Sequence, residues 1–245
     1  MRYFIECAYL GTNYAGWQIQ PNALTVQEEI EKALTILLKE PTSLMGSSRT
    51  DAGVHAYTQV AQFDRENPIS DISQLIYRLN KILSQNISIK QIYLVPDDFH
   101  CRFEATYRKY EYRILRRKSP FYQNMVYQFE MPLDVPKMNE AAQILFKYED
   151  FECFSKLHTD VKTFNCTMME AEWIQESEDL LVFHIKANRF LRGMVRAIVG
   201  TLLEVGLGKL SVEGFEKIIT DKNRQNAGRS VPAQGLFLME VNYEL

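Results

Sequence analysis

Two periodicities take turns along this chain, and that alternation restricts it to folds in which sheets are covered by helices. Residues 2–9 alternate with Tyr3, Ile5, Cys7 and Tyr9 on one face, the period of a strand. Thr25 and Glu28 form a capping box that opens a helix over residues 26–39, with Val26, Ile30, Ala33, Leu34 and Leu37 as its apolar stripe. Residues 54–63 read as a strand. Ser70 or Asp71 then caps a helix with Ile72, Leu75, Ile76, Leu79, Ile82 and Leu83 inward. Residues 87–95 form a further strand, broken by Pro96. The first hundred residues are therefore β-α-β-α-β, one half of an α/β sandwich.

The same alternation resumes beyond them. Residues 107–115 read as a strand and 137–147 as a helix with Ala141, Ile144 and Leu145 inward. Residues 167–174 and 180–187 form a hairpin across the acidic turn Glu176-Ser177-Glu178-Asp179. Helices follow over 189–205, stopping at Gly206, and over 212–219; residues 236–243 close the chain as a strand. At 245 residues the chain can bury one large core or two small ones. The expected division is an N-terminal α/β half, residues 1–104, and a C-terminal α/β half, residues 105–245, with the boundary near residues 97–106. Two comparable halves suggest a duplication, although no sequence repeat is visible.

Composition is that of an ordinary globular protein, with 46% hydrophobic and 24% charged residues. No run approaches eighteen apolar residues, and the N-terminus is patterned as a strand with no signal-peptide core. The four cysteines lack the CxxC spacing of a zinc or redox site, so the expectation is a cytoplasmic protein with reduced thiols. The four histidines lack metal-ligand spacing and read as structural. GxGxxG and GxSxG are absent, and Gly206-Leu207-Gly208-Lys209 has Leu210 where a phosphate loop needs Ser or Thr. Nucleotide cofactors and serine hydrolysis are disfavoured.

Three features remain that can carry chemistry. Gly46 to Phe63 reads GSSRTDAGVHAYTQVAQF and places Asp51 in a polar loop between a helix and a strand. Rigid flanks suit a catalytic side chain, but a turn with a capping aspartate fits the loop as well. Arg189, Arg192 and Arg196 follow an i, i+3, i+7 spacing along one face of the helix expected at 189–205. Arg196 is flanked by apolar residues, and a buried arginine needs a carboxylate; Asp51 and Glu204 are both candidates. Finally, the net charge of −3 makes any polyanion surface local. Arg102, Arg108, Lys109, Arg113, Arg116, Arg117 and Lys118 are interleaved with Tyr107, Tyr110 and Tyr112, a pattern that suits structured RNA or a charge-guarded edge strand.

Arg49-Thr50-Asp51-Ala52-Gly53-Val54-His55 resembles the hallmark of the tRNA pseudouridine synthase A family. Gly16-Trp17-Gln18-Ile19-Gln20 with Thr25-Val26-Gln27 resembles its N-terminal G-x-Q-x-Q and TVQ segment. Phe99-His100-Cys101-Arg102-Phe103, with Ala105-Thr106 through Tyr110-Glu111-Tyr112, resembles its FHARF and ATxRxYxY segment. Phe190-Leu191 with Met194-Val195-Arg196 and Ile198-Val199-Gly200 resembles its FLxxMVRxIVG helix. Pro232-Ala233 with Gly235-Leu236-Phe237-Leu238 resembles its closing APAxGLYL strand. These segments keep the family order across nearly the whole chain. Ser47, Ser48, Glu104 and Lys109 depart from common family residues, and none of them is a proposed catalytic group.

The resemblance implies an α/β (α+β) fold of two ferredoxin-like, RRM-like halves with abutting antiparallel sheets and a central active-site cleft. It implies a homodimer that uses no cofactor and no metal and acts on uridine at positions 38 to 40 of the tRNA anticodon stem-loop. By motif, Asp51 is the catalytic aspartate, Tyr110 the ring on the target base, Arg196 the partner of the aspartate and Arg49 a helper in base flipping. Phe99, His100, Cys101, Arg102 and Phe103, and more loosely Phe154, Ser155, Lys156, Leu157 and His158, fall in segments expected to contact tRNA. A synthase for another RNA, and a non-catalytic RNA-binding module on the same scaffold, remain alternatives.

Overall fold

Eight residues with large side chains on both faces, Arg2–Tyr9, form strand β1 at the centre of the first of two units. The computed structural model describes residues 1–156 and 161–244. The first unit comprises Met1–Thr106 with the closing strand from Phe237 onward; the second comprises Tyr107–Leu236.

In the first unit the elements are β1, α1 (Val26–Leu38), β2 (Met45–Gly46), β3 (His55–Asp64), α2 (Ile72–Ile82) and β4 (Ile87–Val95). β1 runs antiparallel to both neighbours, with Ile5 opposite Ala61 of β3 and Ile92 of β4. The strand order β4-β1-β3-β2 is that of a ferredoxin-like sheet. The closing strand, Leu236–Tyr243, pairs in parallel with the start of β3, His55 opposite Phe237 and Ala56 opposite Leu238. Thr25 caps α1 by accepting the Glu28 N–H at 3.4 Å, and Val26, Ile30, Ala33 and Leu34 are buried, as the stripe requires. Asp71 caps α2 through the Gln74 N–H at 2.8 Å. Only Leu75 and Leu79 of α2 are fully buried; Ile82, read as inward, is exposed at the helix end, and Ile72, Ile76 and Leu83 are half-buried. Stacking of Tyr3 on Phe63 and edge contact of Phe4 with Tyr243 fill the core on the two faces of β1.

The second unit contains most of β5 (Ala105–Leu115), then β6 (Tyr127–Gln128), α3 (Val135–Gln143), β7 (Met168–Gln175), β8 (Leu180–Ala187), α4 (Met194–Gly206) and α5 (Val212–Asp221). β8 lies antiparallel between β5 and β7, with His184 opposite Glu111 on one side and Glu172 on the other. The helix expected over 137–147 ends earlier, its last residues forming a 3-10 turn at Ile144–Lys147. α4 is nearly all buried, which places it in the centre of this unit. The closing strand named above is β9. Among the described residues no helix is long and apolar enough to cross a membrane.

The start of α4 corrects the sequence reading. The helix begins at Met194, not Arg189, because Gly193 sits at φ +73° in the left-handed region and separates the helix from the residues before it. The Arg192 carbonyl accepts the Lys156 N–H at 2.9 Å. Arg189 and Arg192 therefore do not share a helix face with Arg196. Phe190 and Leu191 continued an apolar pattern that is not helical; Phe190 instead sets its ring against Tyr110.

Candidate active site

The loop carrying Asp51 is tied down at nearly every step. β2 holds its start, with Gly46 opposite Ala61. The Ser47 N–H donates to Val60 O at 2.8 Å, and the Ser47 hydroxyl donates to Gln59 Oε1 at 2.9 Å. The same Gln59 amide donates back to Ser48 O at 2.7 Å, so one buried strand residue fixes two successive loop residues. Thr50, itself buried, shares a 2.8 Å hydrogen bond with the Tyr9 hydroxyl and accepts the Trp17 N–H through its carbonyl at 3.2 Å. A turn closed by Val54 N–H to Asp51 O at 3.2 Å follows. The His55 ring, stacked on Phe237, accepts the Gly11 N–H at Nδ1, which places the proton of a neutral imidazole on Nε2.

Gly16 explains why this loop and the Gly-Trp-Gln segment occur together. Its φ is +101°, and a Cβ there would lie 2.5 Å from the Thr50 carbonyl oxygen. Only glycine lets the first segment pass so close to the backbone beside Asp51. The Asp51 side chain is half-buried, Thr50 before it is buried, and Arg49 is exposed. Such a bracketed loop presents a carboxylate in one position, which a reacting group requires.

In the second unit, Tyr110 and Arg196 are positioned by different means. Tyr110 is 8% exposed on β5, and the Phe190 ring meets it edge-on at 5.1 Å and 88°. Arg196, in the first turn of α4, donates its Nε–H to Val231 O at 2.7 Å, while the Val231 N–H returns to Arg196 O at 3.2 Å. That bond fixes the plane of the guanidinium and meets part of its hydrogen-bonding need with a carbonyl. Tyr112 donates its hydroxyl to Pro232 O at 2.8 Å; burial raises its pKa far above the usual phenol value, with Arg196 opposing.

The basic strand is less available than its composition suggests. Lys109 pairs with Glu170 at 3.0 Å, Arg113 with Glu111 at 2.7 Å and Arg117 with Asp179 at 2.6 Å. Lys186 lies over the Tyr107 ring at 5.1 Å, and Arg116 donates to Met131 O. Much of the charge is thus matched within the protein.

The expected tRNA segments divide by burial. Phe99 packs on Phe4 and Tyr243, and Cys101 is fully buried with its thiol donating to Met45 O at 3.0 Å. His100 is half-buried beside Phe103, whereas Arg102 is exposed and Phe103 is 72% exposed, with the guanidinium over its ring. Phe154 and Ser155 are buried and Lys156 is exposed; Leu157 and His158 lie outside the described residues. Sequence reasoning missed Gln59, and it marked Arg108 only as one of the basic residues of its strand, not as a buried one. Neither has a clear local signal: two residues away, Gln59 has buried Ala61 but exposed Tyr57, and Arg108 has buried Tyr110 but half-buried Thr106.

A family model described as tRNA pseudouridine synthase matches residues 7–104 and 141–244. The chain belongs to this family. The tRNA pseudouridine synthase A of Parabacteroides distasonis is 52% identical over 242 residues, covering 99% of this chain and 96% of the relative. That of Bacteroides fragilis is 54% identical over 242 residues with the same coverage. The protein of the same name from Anoxybacillus flavithermus is 42% identical over 244 residues, covering 98% of each. Membership makes the chain an RNA uridine isomerase of the pseudouridine synthase kind. The mixed α/β architecture fits that assignment.

Proposed function

We propose that this synthase converts uridine to pseudouridine at positions 38 to 40 of the tRNA anticodon stem-loop, and that Asp51 carries the chemistry. The observation that supports this most is the Arg49-Thr50-Asp51 loop itself. It matches the family hallmark and is locked by Ser47, Gln59, Tyr9 and Gly16 around a single carboxylate.

The reaction breaks the bond between C1′ and N1, turns the uracil and joins C1′ to C5; the hydrogen on C5 leaves as a proton and N1 gains one. Along one route the Asp51 carboxylate attacks C1′ and displaces the uracil, and C5 then displaces the carboxylate. Along the other it removes the ribose C2′ proton to give a glycal, to which C5 adds as the proton returns. Both routes require the ionised carboxylate. In this reading Arg196 is the cation that favours this state, the role the family resemblance implies for it, and its Nε stays on Val231 O. Tyr110 packs on the released ring, and exposed Arg49 fills the space the flipped base leaves.

Arg102, Phe103 and Lys156 are the side chains of the two tRNA segments that we assign to RNA contact, since each is exposed. Cys101, Phe154 and Ser155 support them from within, and half-buried Phe99 packs on Phe4 and Tyr243. We assign the working enzyme as a homodimer in the cytoplasm, on the strength of the family resemblance. Tritium release from tRNA labelled at uracil C5 tests the function. The wild type is expected to release it and Asp51→Ala to release none while still binding tRNA; full release by Asp51→Ala would exclude the assignment.

A further inference from the structure

Arg108 is the one Lys, Arg, Asp or Glu that is buried among the described residues, at 7% exposed. Burying a guanidinium is unfavourable by several kcal/mol unless its donors are met, and an apolar residue of similar volume fills such a site at less cost. Part of that need is met at the end of β8. Arg108 lies opposite Ala187, the last residue of β8, and its Nη1 donates at 2.9 Å to the carbonyl of Asn188, where the chain leaves the sheet. Thr167 grips the same residue from the other side. Its N–H donates to Asn188 Oδ1 at 2.8 Å, and the Asn188 N–H donates to Thr167 O at 3.2 Å. Two residues further on, Phe190 sets its ring edge-on to Tyr110. Arg108 and Tyr110 are two apart on β5 and so project from one face. One strand thus carries both the ring and the clamp on that ring's neighbour.

We infer that Arg108 is a positioning residue that fixes Tyr110 through the Asn188 corner and Phe190. The inference rests on the reading of Tyr110 as the ring that holds the uracil during its rotation. A ring displaced by an ångström no longer guides C5 back to C1′, and errors of that size reduce rates by about a hundredfold. Binding of the rest of the tRNA is unaffected by the angle of one ring.

The test combines kinetics with a signal from the ring. Arg108→Gln is expected to lower kcat for tritium release by roughly 10- to 100-fold with KM little changed. In a Phe190→Ala background the same change is expected to lower kcat by less than about threefold, since the route to Tyr110 is already cut. Arg108→Lys keeps the buried charge and a donor, guards against loss of fold and is expected to lie between wild type and Arg108→Gln. With 3-fluorotyrosine at position 110, the 19F line of the RNA-free protein is expected to shift or broaden in Arg108→Gln. Equal losses in both backgrounds, an effect confined to KM, no recovery with lysine, or an unchanged 19F line would each overturn the inference. A wild type that releases no tritium would defeat the functional reading instead, and the 19F line would still decide the positioning role.

Discussion

Replacing Gly16 with alanine is expected to disable the enzyme far more than it destabilises it. At φ +101° a side chain strains the backbone by about 1–3 kcal/mol. The added Cβ would stand 2.5 Å from the Thr50 oxygen where ordinary contact begins at 3.4 Å, so one segment must retreat by about 0.9 Å. Thr50 is held by Tyr9 and Trp17, and the displacement passes to its neighbour Asp51. Strain and contact together suggest a loss of about 2–4 kcal/mol, within the ~5–15 kcal/mol typical of a folded domain. The variant stays folded at 25 °C, yet a carboxylate misplaced by nearly 1 Å is expected to lower kcat on the order of a hundredfold. Gly208→Ala is the control. Gly208 also has positive φ, at +69°, but a Cβ there meets nothing within 4 Å, so it should lose about 1 kcal/mol and keep its kcat. Urea unfolding and tritium release at saturating tRNA measure both quantities. Wild-type kcat in Gly16→Ala, or a loss matched by its unfolded fraction, would refute the reasoning.

Two further outcomes follow from groups away from the site. Asp64 accepts two 2.8 Å bonds from Arg2, which hold its pKa below the usual carboxylate value, so the pair's contribution is present above about pH 4 and disappears as pH falls through the lowered pKa. The Asp64 side chain is 59% exposed, although that of Arg2 is only 18% exposed, so solvent screens the carboxylate and urea unfolding at pH 6 and pH 3 should show a pH-dependent difference between wild type and Asp64→Asn of only about 0.2–1 kcal/mol; a pH-independent difference would contradict it. Burial raises the Cys166 thiol to about 11, the Cys153 thiol to about 12 and Cys7 higher still, and Cys101 is equally enclosed. Iodoacetamide at pH 8 should therefore leave the native protein unlabelled and modify all four cysteines after unfolding, as read by mass spectrometry; rapid native labelling would contradict it.

Local physics made much of the fold legible. β1, β4 and β9 occupy the residues expected to be strands, Thr25 caps α1 as its capping box requires, and of the two candidates Ser70 and Asp71 it is Asp71 that caps α2. α4 misled because Phe190 and Leu191 extend an apolar pattern whose purpose is packing, and only the backbone angle of Gly193 shows where the helix begins. The two-residue strands β2 and β6 are too short to leave a pattern, and the pairing of β9 with β3 joins residues far apart in sequence. Asp51 was visible as a residue, but the lattice that fixes it was not. Gln59, Tyr9 and Gly16 reach the loop from three other segments, and no local rule connects them. The ion pairs of the basic strand are hidden from the sequence for the same reason, because Glu170 and Asp179, the partners of Lys109 and Arg117, lie in the β7–β8 hairpin.

The central claim is that the Asp51 carboxylate performs the isomerisation on the anticodon arm. Its most direct test is pseudouridine mapping of unmodified tRNA treated with purified wild type and with Asp51→Asn, which keeps the size of the side chain and removes its charge. The account predicts pseudouridine at positions 38 to 40 with the wild type and none with Asp51→Asn, at equal tRNA binding. Pseudouridine formed by Asp51→Asn at the wild-type rate would contradict it.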